Sequence, residues 1–312
     1  MELPPTDAPD PDETLEPAGF MVEGDGGDRI HFLDWGGPPR TSTAPGIVAI
    51  HGLGQTGWIW APVARRLAGS SGPRRFVTLD LRGHGLSDAP TEDGRYDLDV
   101  LADDAVAVAE GAGLLGDSEA DRIVLAGHGF GAIVAARAAA DLGARCAGLV
   151  LVDGGWETLE ATTGVDADEF LRGLDEPPEV MRSLAAFLAD RKAFDPGTWD
   201  ADQEHAASAT IVETHAGRVV PSARPHATEA SVRTMFAYDP RPTLAAVSAP
   251  IAALIAGGDE SGSRVRQLAE ASAARVASGR DPIAISSFAH DGHNLMRYRP
   301  REVAAAILSV AG

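Results

Sequence analysis

The feature that most constrains this chain is an alternation. Short, almost wholly apolar runs at 47–50, 77–79, 123–126, 149–152, 251–256 and 283–285 are separated by longer stretches with helical periodicity, at about 58–68, 97–114, 129–142, 262–277 and 300–311. A strand that is apolar at every position is buried on both faces, as in a parallel sheet. Strands that alternate with helices in this way call for right-handed crossovers and an open, doubly wound sheet. The stretch Phe130–Ala140 is small and apolar on every side, which marks a buried helix. Ahead of the runs, Phe20–Val22 and Arg29–Trp35 read as an antiparallel entry joined by a turn at Gly24–Asp28.

One region breaks the rhythm. Between Trp156 and about Ser248 there is no strong strand run, only helix-like pieces at 167–174, 179–187, 202–215 and 229–236, separated by Pro177–Pro178, Pro196 and Pro221. The expected organisation is therefore a core formed by 19–155 and 249–312, interrupted by a helical insertion over 156–248 that lies on the carboxyl edge of the sheet. The first 28 residues hold nine acids and no base, with Pro4, Pro5, Pro9, Pro11 and Pro17 among them. Such a segment buries too little apolar surface to offset the entropy of ordering, so residues 1–18 are expected to be a disordered acidic tail.

Composition narrows the function classes. With 26 Lys+Arg against 46 Asp+Glu the formal charge is −20, which repels nucleic-acid phosphates and anionic membrane surfaces. No secretory leader and no run near the roughly 18 apolar residues of a membrane span is present, so a cytoplasmic protein is expected. The single cysteine, Cys146, lies in an apolar run and reads as core. Nine histidines are scattered among loops without a His-x-x-x-His pair, and the glycines of 127–131 lack the wider spacing of a dinucleotide loop. No metal and no cofactor is expected, and a small-molecule substrate is the expected partner.

In an open α/β sheet the ligand lies beyond the carboxyl ends of the strands. The segments that follow the runs are His51-Gly52-Leu53-Gly54, Asp80-Leu81-Arg82-Gly83-His84-Gly85-Leu86-Ser87-Asp88, Gly127-His128-Gly129-Phe130-Gly131, Asp153-Gly154-Gly155-Trp156, Gly257-Gly258-Asp259-Glu260 and Phe288-Ala289-His290-Asp291-Gly292-His293. In this order they resemble the α/β-hydrolase superfamily over about residues 20–312. The elbow at 127–131 also looks like that of epoxide hydrolases and haloalkane dehalogenases, and the inserted region looks like their cap. The resemblance implies an α/β-hydrolase fold: a mostly parallel, doubly wound sheet of about eight strands with a helical cap insertion.

The elbow departs from that pattern at one position. The family places Ser, Asp or Cys between the flanking glycines, and here Gly129 stands there. Glycine tolerates the positive-φ turn better than any other residue but has no side chain with which to attack. Either a nucleophile has been lost or removed, or the chemistry needs no covalent intermediate.

The resemblance assigns the remaining roles. His293 matches the general base, with His290 as the neighbour open to confusion with it. The acid that orients the base follows the penultimate strand: spacing from Pro250 favours Asp259, and spacing from Gly257 favours Glu260. Asp259 is taken first, and Asp153 is the alternative position that some members use. The main-chain N–H groups of Leu53 and Phe130 would form the oxyanion hole. His51 and His84 match structural loop positions. Trp58, Trp60, Trp156, Met235 and Phe236 are expected around the pocket. The expected function is an enzyme acting on a small, largely apolar ester- or lactone-like carbonyl compound. A non-hydrolytic lyase, isomerase or cyclase using His293 and the oxyanion hole is one alternative, and a non-catalytic ligand-binding protein is the other.

Overall fold

The computed structural model describes residues 12, 14–39, 44–70, 72–118, 120–257 and 262–311. The core strands are β1 (Ala18–Glu23), β2 (Arg29–Asp34), β3 (Gly46–Ile50), β4 (Phe76–Leu79), β5 (Ile123–His128) and β6 (Cys146–Val152). The helices among them are α1 (Ala61–Ala68), α2 (Leu98–Gly111) and α3 (Phe130–Leu142). The inserted segment carries α4 (Leu159–Thr163), α5 (Ala167–Arg172), α6 (Leu184–Phe194), α7 (Ala201–Ala209), a hairpin of β7 (Ile211–Glu213) and β8 (Val219–Pro221), and α8 (Pro225–Ala237). The chain returns through α9 (Pro240–Ala246), β9 (Ile251–Ala256), α10 (Ser263–Ala277), β10 (Ala284–Phe288), α11 (Leu295–Tyr298) and α12 (Pro300–Val310).

Eight strands form one sheet in the order β1-β2-β4-β3-β5-β6-β9-β10. β1, β2 and β4 pair antiparallel in succession, and every later pair is parallel. β3, β5, β6 and β9 are buried at every position, which is why their sequences are apolar without alternation. One face packs on α2, α3, α9 and α10, and the other on α1 and α12. The register levels the carboxyl ends: Ile50 pairs with Gly127, His128 with Val152, and Val152 with Leu254. Residues 51, 129 and 153 therefore leave the sheet side by side.

The inserted segment differs from the expectation in one respect. The piece read as a helix over 202–215 ends at Ala209 and turns into the β7–β8 hairpin, whose three-residue strands are too short to show a period. The last stretch of the insertion also packs on the core: Leu244 and Val247, in and just after α9, are buried with residues of α3 and α10. At the N-terminus, residues 1–11 and 13 of the expected tail lie outside the described residues. Of the rest, Asp12, Leu15 and Glu16 are held by the Arg65 guanidinium, which donates to the Asp12 and Leu15 carbonyls and pairs with the Glu16 carboxylate at 3.2 Å.

Much of the polar motif between β4 and α2 has a structural role. Arg82 is fully buried and forms a forked pair with Asp104 at 2.7 and 2.9 Å and a further pair with Asp28. Asp80 accepts from His31 Nδ1 at 2.8 Å and from the Gly57 and Leu86 N–H groups. His51 donates from Nδ1 to the Gly52 carbonyl and accepts the Leu81 N–H at Nε2, 2.9 Å away. His84, held down to about 3 by complete burial and by His51, stays neutral against the Arg82 carbonyl. Among the described residues no group of His, Cys, Asp and Glu is arranged to hold a metal ion, and no helix is long and apolar enough to cross a membrane.

Candidate active site

The site is built where β5 turns into α3. Gly129 adopts φ 51 and ψ −115 and starts the helix, and its N–H donates to the Val152 carbonyl at 3.0 Å. A positive φ of this kind costs a side-chain-bearing residue about 1–3 kcal/mol. The flanking glycines are required by contact. A β-carbon on Gly127 would lie 2.2 Å from the Gly131 oxygen, and one on Gly131 would lie 2.4 Å from two carbonyl oxygens of β3 and His51. At Gly129 itself no backbone intrudes. A β-carbon there would point at His293, 3.1 Å from Nε2 and 3.5 Å from Cε1.

His293 enters from the loop after β10, and 58% of its side chain is accessible. Its Nδ1 lies 2.6 Å from Asp153 Oδ2. Asp153 follows β6 directly and is the one described non-glycine residue with a positive φ, 48. Its second oxygen accepts from the Ala256 N–H and from Arg264, each at 2.8 Å. Burial raises the Asp153 carboxyl, but the His293 hydrogen bond and the Arg264 charge outweigh it and hold the group below the ordinary carboxylate value. An ionised Asp153 keeps the His293 proton on Nδ1 and leaves the Nε2 lone pair facing residue 129.

The partner of His293 is thus the acid after β6, where the sequence reading took Asp259 first. Asp259 and its rival Glu260 lie outside the described residues. The register explains the observed pairing: Asp153 is level with Gly129, and the fork from Arg264 fixes its carboxylate toward the histidine loop. His290 sits exposed in the turn after β10.

Leu53 and Phe130 both line the cavity over Gly129. Neither N–H donates to another described group, and Phe130 is the first residue of α3, where helical N–H groups lack partners and favour negative charge. Gln55, which the sequence reading passed over, ties the loops together. Its Oε1 accepts the Gly52 N–H at 3.0 Å and meets His128 Nδ1 at 3.0 Å, while its Nε2 donates to Asn294 at 2.8 Å. His128 Nε2 lies 3.1 Å from the His293 carbonyl, and burial together with the neighbouring His293 pushes the His128 imidazole well below the ordinary histidine value.

The cavity has a volume of about 340 Å³ and is closed from the inserted side by Leu159, Phe170, Leu174 and Met235. Phe236 is one layer back, against Phe170 at 5.6 Å. The tryptophans differ from the expectation. Trp156 and Trp60 are fully enclosed core side chains, and Trp58 stacks on His205 at 3.7 Å; none of the three lines the cavity, because large flat side chains at the sheet edge were drawn into packing. Glu157 and Arg264, also unanticipated, do line it. Burial raises the Glu157 carboxyl despite Arg264 at 3.2 Å.

The profile described as "Alpha/beta hydrolase family" matches residues 47–306. Curated relatives include "Epoxide hydrolase 4" of Mus musculus, 31% identical over 111 residues, covering 36% of this chain and 27% of that protein. "Bifunctional epoxide hydrolase 2" of Sus scrofa is 29% identical over 108 residues, 35% of this chain and 17% of that protein. The matched segments thus span under a third of either relative. Among solved structures, E-2-(acetamidomethylene)succinate hydrolase superposes with a TM-score of 0.73 at 20% identity, covering 95% of this chain and 99% of that one. A thioesterase domain from the curacin biosynthetic pathway gives 0.70 at 19% identity, covering 94% and 99%. The eight-stranded sheet, the elbow at residue 129 and the profile match over most of the chain place this protein in the α/β-hydrolase family.

Proposed function

We propose that the chain is a hydrolase of small, largely apolar ester- or lactone-like substrates, in which water takes the place of a side-chain nucleophile. The observation that carries this is the direction of the missing side chain: a β-carbon at residue 129 would end 3.1 Å from His293 Nε2. A water in that space is within reach of the base. His293 Nε2 takes a proton from it as the water oxygen attacks the carbonyl carbon, and the oxyanion meets the Leu53 and Phe130 N–H groups. Asp153 stabilises the imidazolium, which then protonates the departing alkoxide. The new C–O bond comes from water, the old one breaks, and the products are an acid and an alcohol.

The inserted segment acts as a cap over the carbonyl, with Leu159, Phe170, Leu174 and Met235 lining the cavity from that side. Two relatives are epoxide hydrolases by name. A carbonyl fits this site better, because main-chain N–H groups suit a developing oxyanion, whereas epoxide opening calls for a proton donor at the ring oxygen, and no tyrosine is among the described residues lining the cavity.

The test is turnover of a panel of short esters and lactones in oxygen-18 water, with intact-protein mass recorded during the reaction. Single-oxygen incorporation into the acid, no acyl adduct, and a His293→Ala loss of about 10²–10⁴-fold support the proposal. A panel without turnover overturns it in favour of non-hydrolytic chemistry.

A further inference from the structure

A second cavity, of about 520 Å³, lies beside the first, between the inserted segment and the sheet edge. The two share Leu53, Gln55 and Leu174 as common wall. Each falls within the range of volumes that hold a drug-sized ligand, so a substrate confined to the first would leave the larger space without a use.

The wall of the second cavity specifies what fits there. Ile59, Met181, Phe187, Trp199, Ala206 and Pro221 make it largely apolar. Its charges balance. Arg191 pairs with Glu176 at 2.7 Å and Asp190 at 3.3 Å, and the fourth charged group, Arg297, is engaged by Thr198 Oγ1 and the Asp195 carbonyl, each at 2.6 Å. A charged arm would lose its hydration against a wall with no net charge to offer in return.

One polar group stands apart from these pairs. Gln203, on α7, is 6% exposed, its side-chain amide meets no described hydrogen-bond partner, and it lines this cavity. Buried polar groups left unmatched by the protein are positions where a ligand's own polar group is favoured.

We infer that the two cavities form one site for an extended, uncharged substrate, with the reacting carbonyl over Gly129 and a long apolar arm, carrying a neutral hydrogen-bonding group, in the second chamber beside Gln203. The inference rests on the proposed carbonyl chemistry for the placement of the reacting end only. The arm passes between Leu53 and Leu174, so the inserted segment selects substrates by length and neutrality.

The experiment uses the full chain and two inert methyl ketones, 2-pentanone and an analogue whose arm of about nine methylenes ends in a primary amide, with binding measured by titration calorimetry. The long ketone should bind at least about tenfold more tightly, a difference that burial of two methylenes already supplies. Ala207→Phe, which fills the second chamber, should remove that difference and leave 2-pentanone binding unchanged. Gln203→Leu should weaken binding of the amide-bearing ketone and leave that of 2-pentanone unchanged. Ile211→Trp fills the chamber from the hairpin side and repeats the measurement should the first variant fail to fold. Equal affinities for both ketones in the unaltered protein, or an equal loss of both in the filled variants, would overturn the inference. Ketone binding as expected without ester or lactone turnover would remove the hydrolase reading and leave the two-chamber site. Turnover of short esters with no gain from the arm would do the reverse.

Discussion

The carboxyl edge of the sheet and the segment inserted above it are built on opposite principles. At the edge, backbone meets backbone. Gly127, Gly131 and Gly154 allow approaches at which a β-carbon would fall within 2.7 Å of main-chain atoms, and the strands beneath are buried at every position. In the inserted segment packing is looser: α4 and α5 have no buried residue and α6 has one, although α8 buries four, and Phe194 is 82% exposed. The difference teaches where precision is kept. The groups that would handle a proton and an oxyanion stand on the closely packed layer, and most of the groups that line the second cavity stand on the more loosely packed one.

The junction offers the sharpest contrast. Trp156 is the first residue of the inserted segment, yet it is fully buried with Arg264 5.4 Å from its ring. Trp156→Ala should cost about 3–5 kcal/mol, as for other enclosed aromatic residues, read as a loss of denaturant midpoint. A loss of that size would place Trp156 with the sheet layer and the boundary between the two regions after it, whereas a loss under about 1 kcal/mol would leave it in the inserted segment.

Acid sharpens the comparison next. The Asp153 carboxyl is held below its ordinary value in the folded protein, so it contributes stability above the unfolded pKa of about 3.9, and that contribution is lost as pH falls through the lower folded value. Asp153→Asn should flatten the acid limb of the stability–pH curve. Glu157, raised by burial, runs the other way: its carboxylate opposes folding at neutral pH and ceases to as pH falls through the raised value. Glu157→Gln should therefore leave neutral stability unchanged or increased. A steeper acid limb in Asp153→Asn would show that the Asp153–Arg264–His293 arrangement is not formed.

The smallest effect belongs to the inserted segment. Phe194→Ala should change stability by no more than about 0.5 kcal/mol, the usual range for an exposed position. A change comparable with that of Trp156 would erase the distinction between the two layers.

The same division explains what could be read from the sequence. The strands were legible because burial on both faces leaves continuous apolar runs, and the elbow was legible because three glycines at 127, 129 and 131 directly follow one of those runs. The partner of His293 was not. Asp153 and Asp259 both follow strands, and which one reaches the histidine depends on the β5–β6 register and on Arg264, more than a hundred residues from Asp153. The tryptophans misled because an aromatic residue near a sheet edge carries no local mark of whether it faces a cavity or the core. The β7–β8 hairpin was missed because three-residue strands leave no periodic signal. Gln55 acts through Gly52, His128 and Asn294, and only the last two of those contacts are long-range in the chain, yet neither is visible in composition or spacing.

The central claim is that residue 129 is the apex of an elbow whose side-chain position, empty in this chain, faces a working base. Gly129→Ser tests it directly. The serine hydroxyl would stand beside His293 Nε2 with the Leu53 and Phe130 N–H groups in place, so a fluorophosphonate probe should label the variant covalently at residue 129 and leave the unaltered protein unlabelled. The variant should also lose roughly 1–3 kcal/mol of stability, because a side chain now occupies a positive-φ turn. A folded serine variant that resists the probe, at full stability, would contradict both the base and the elbow.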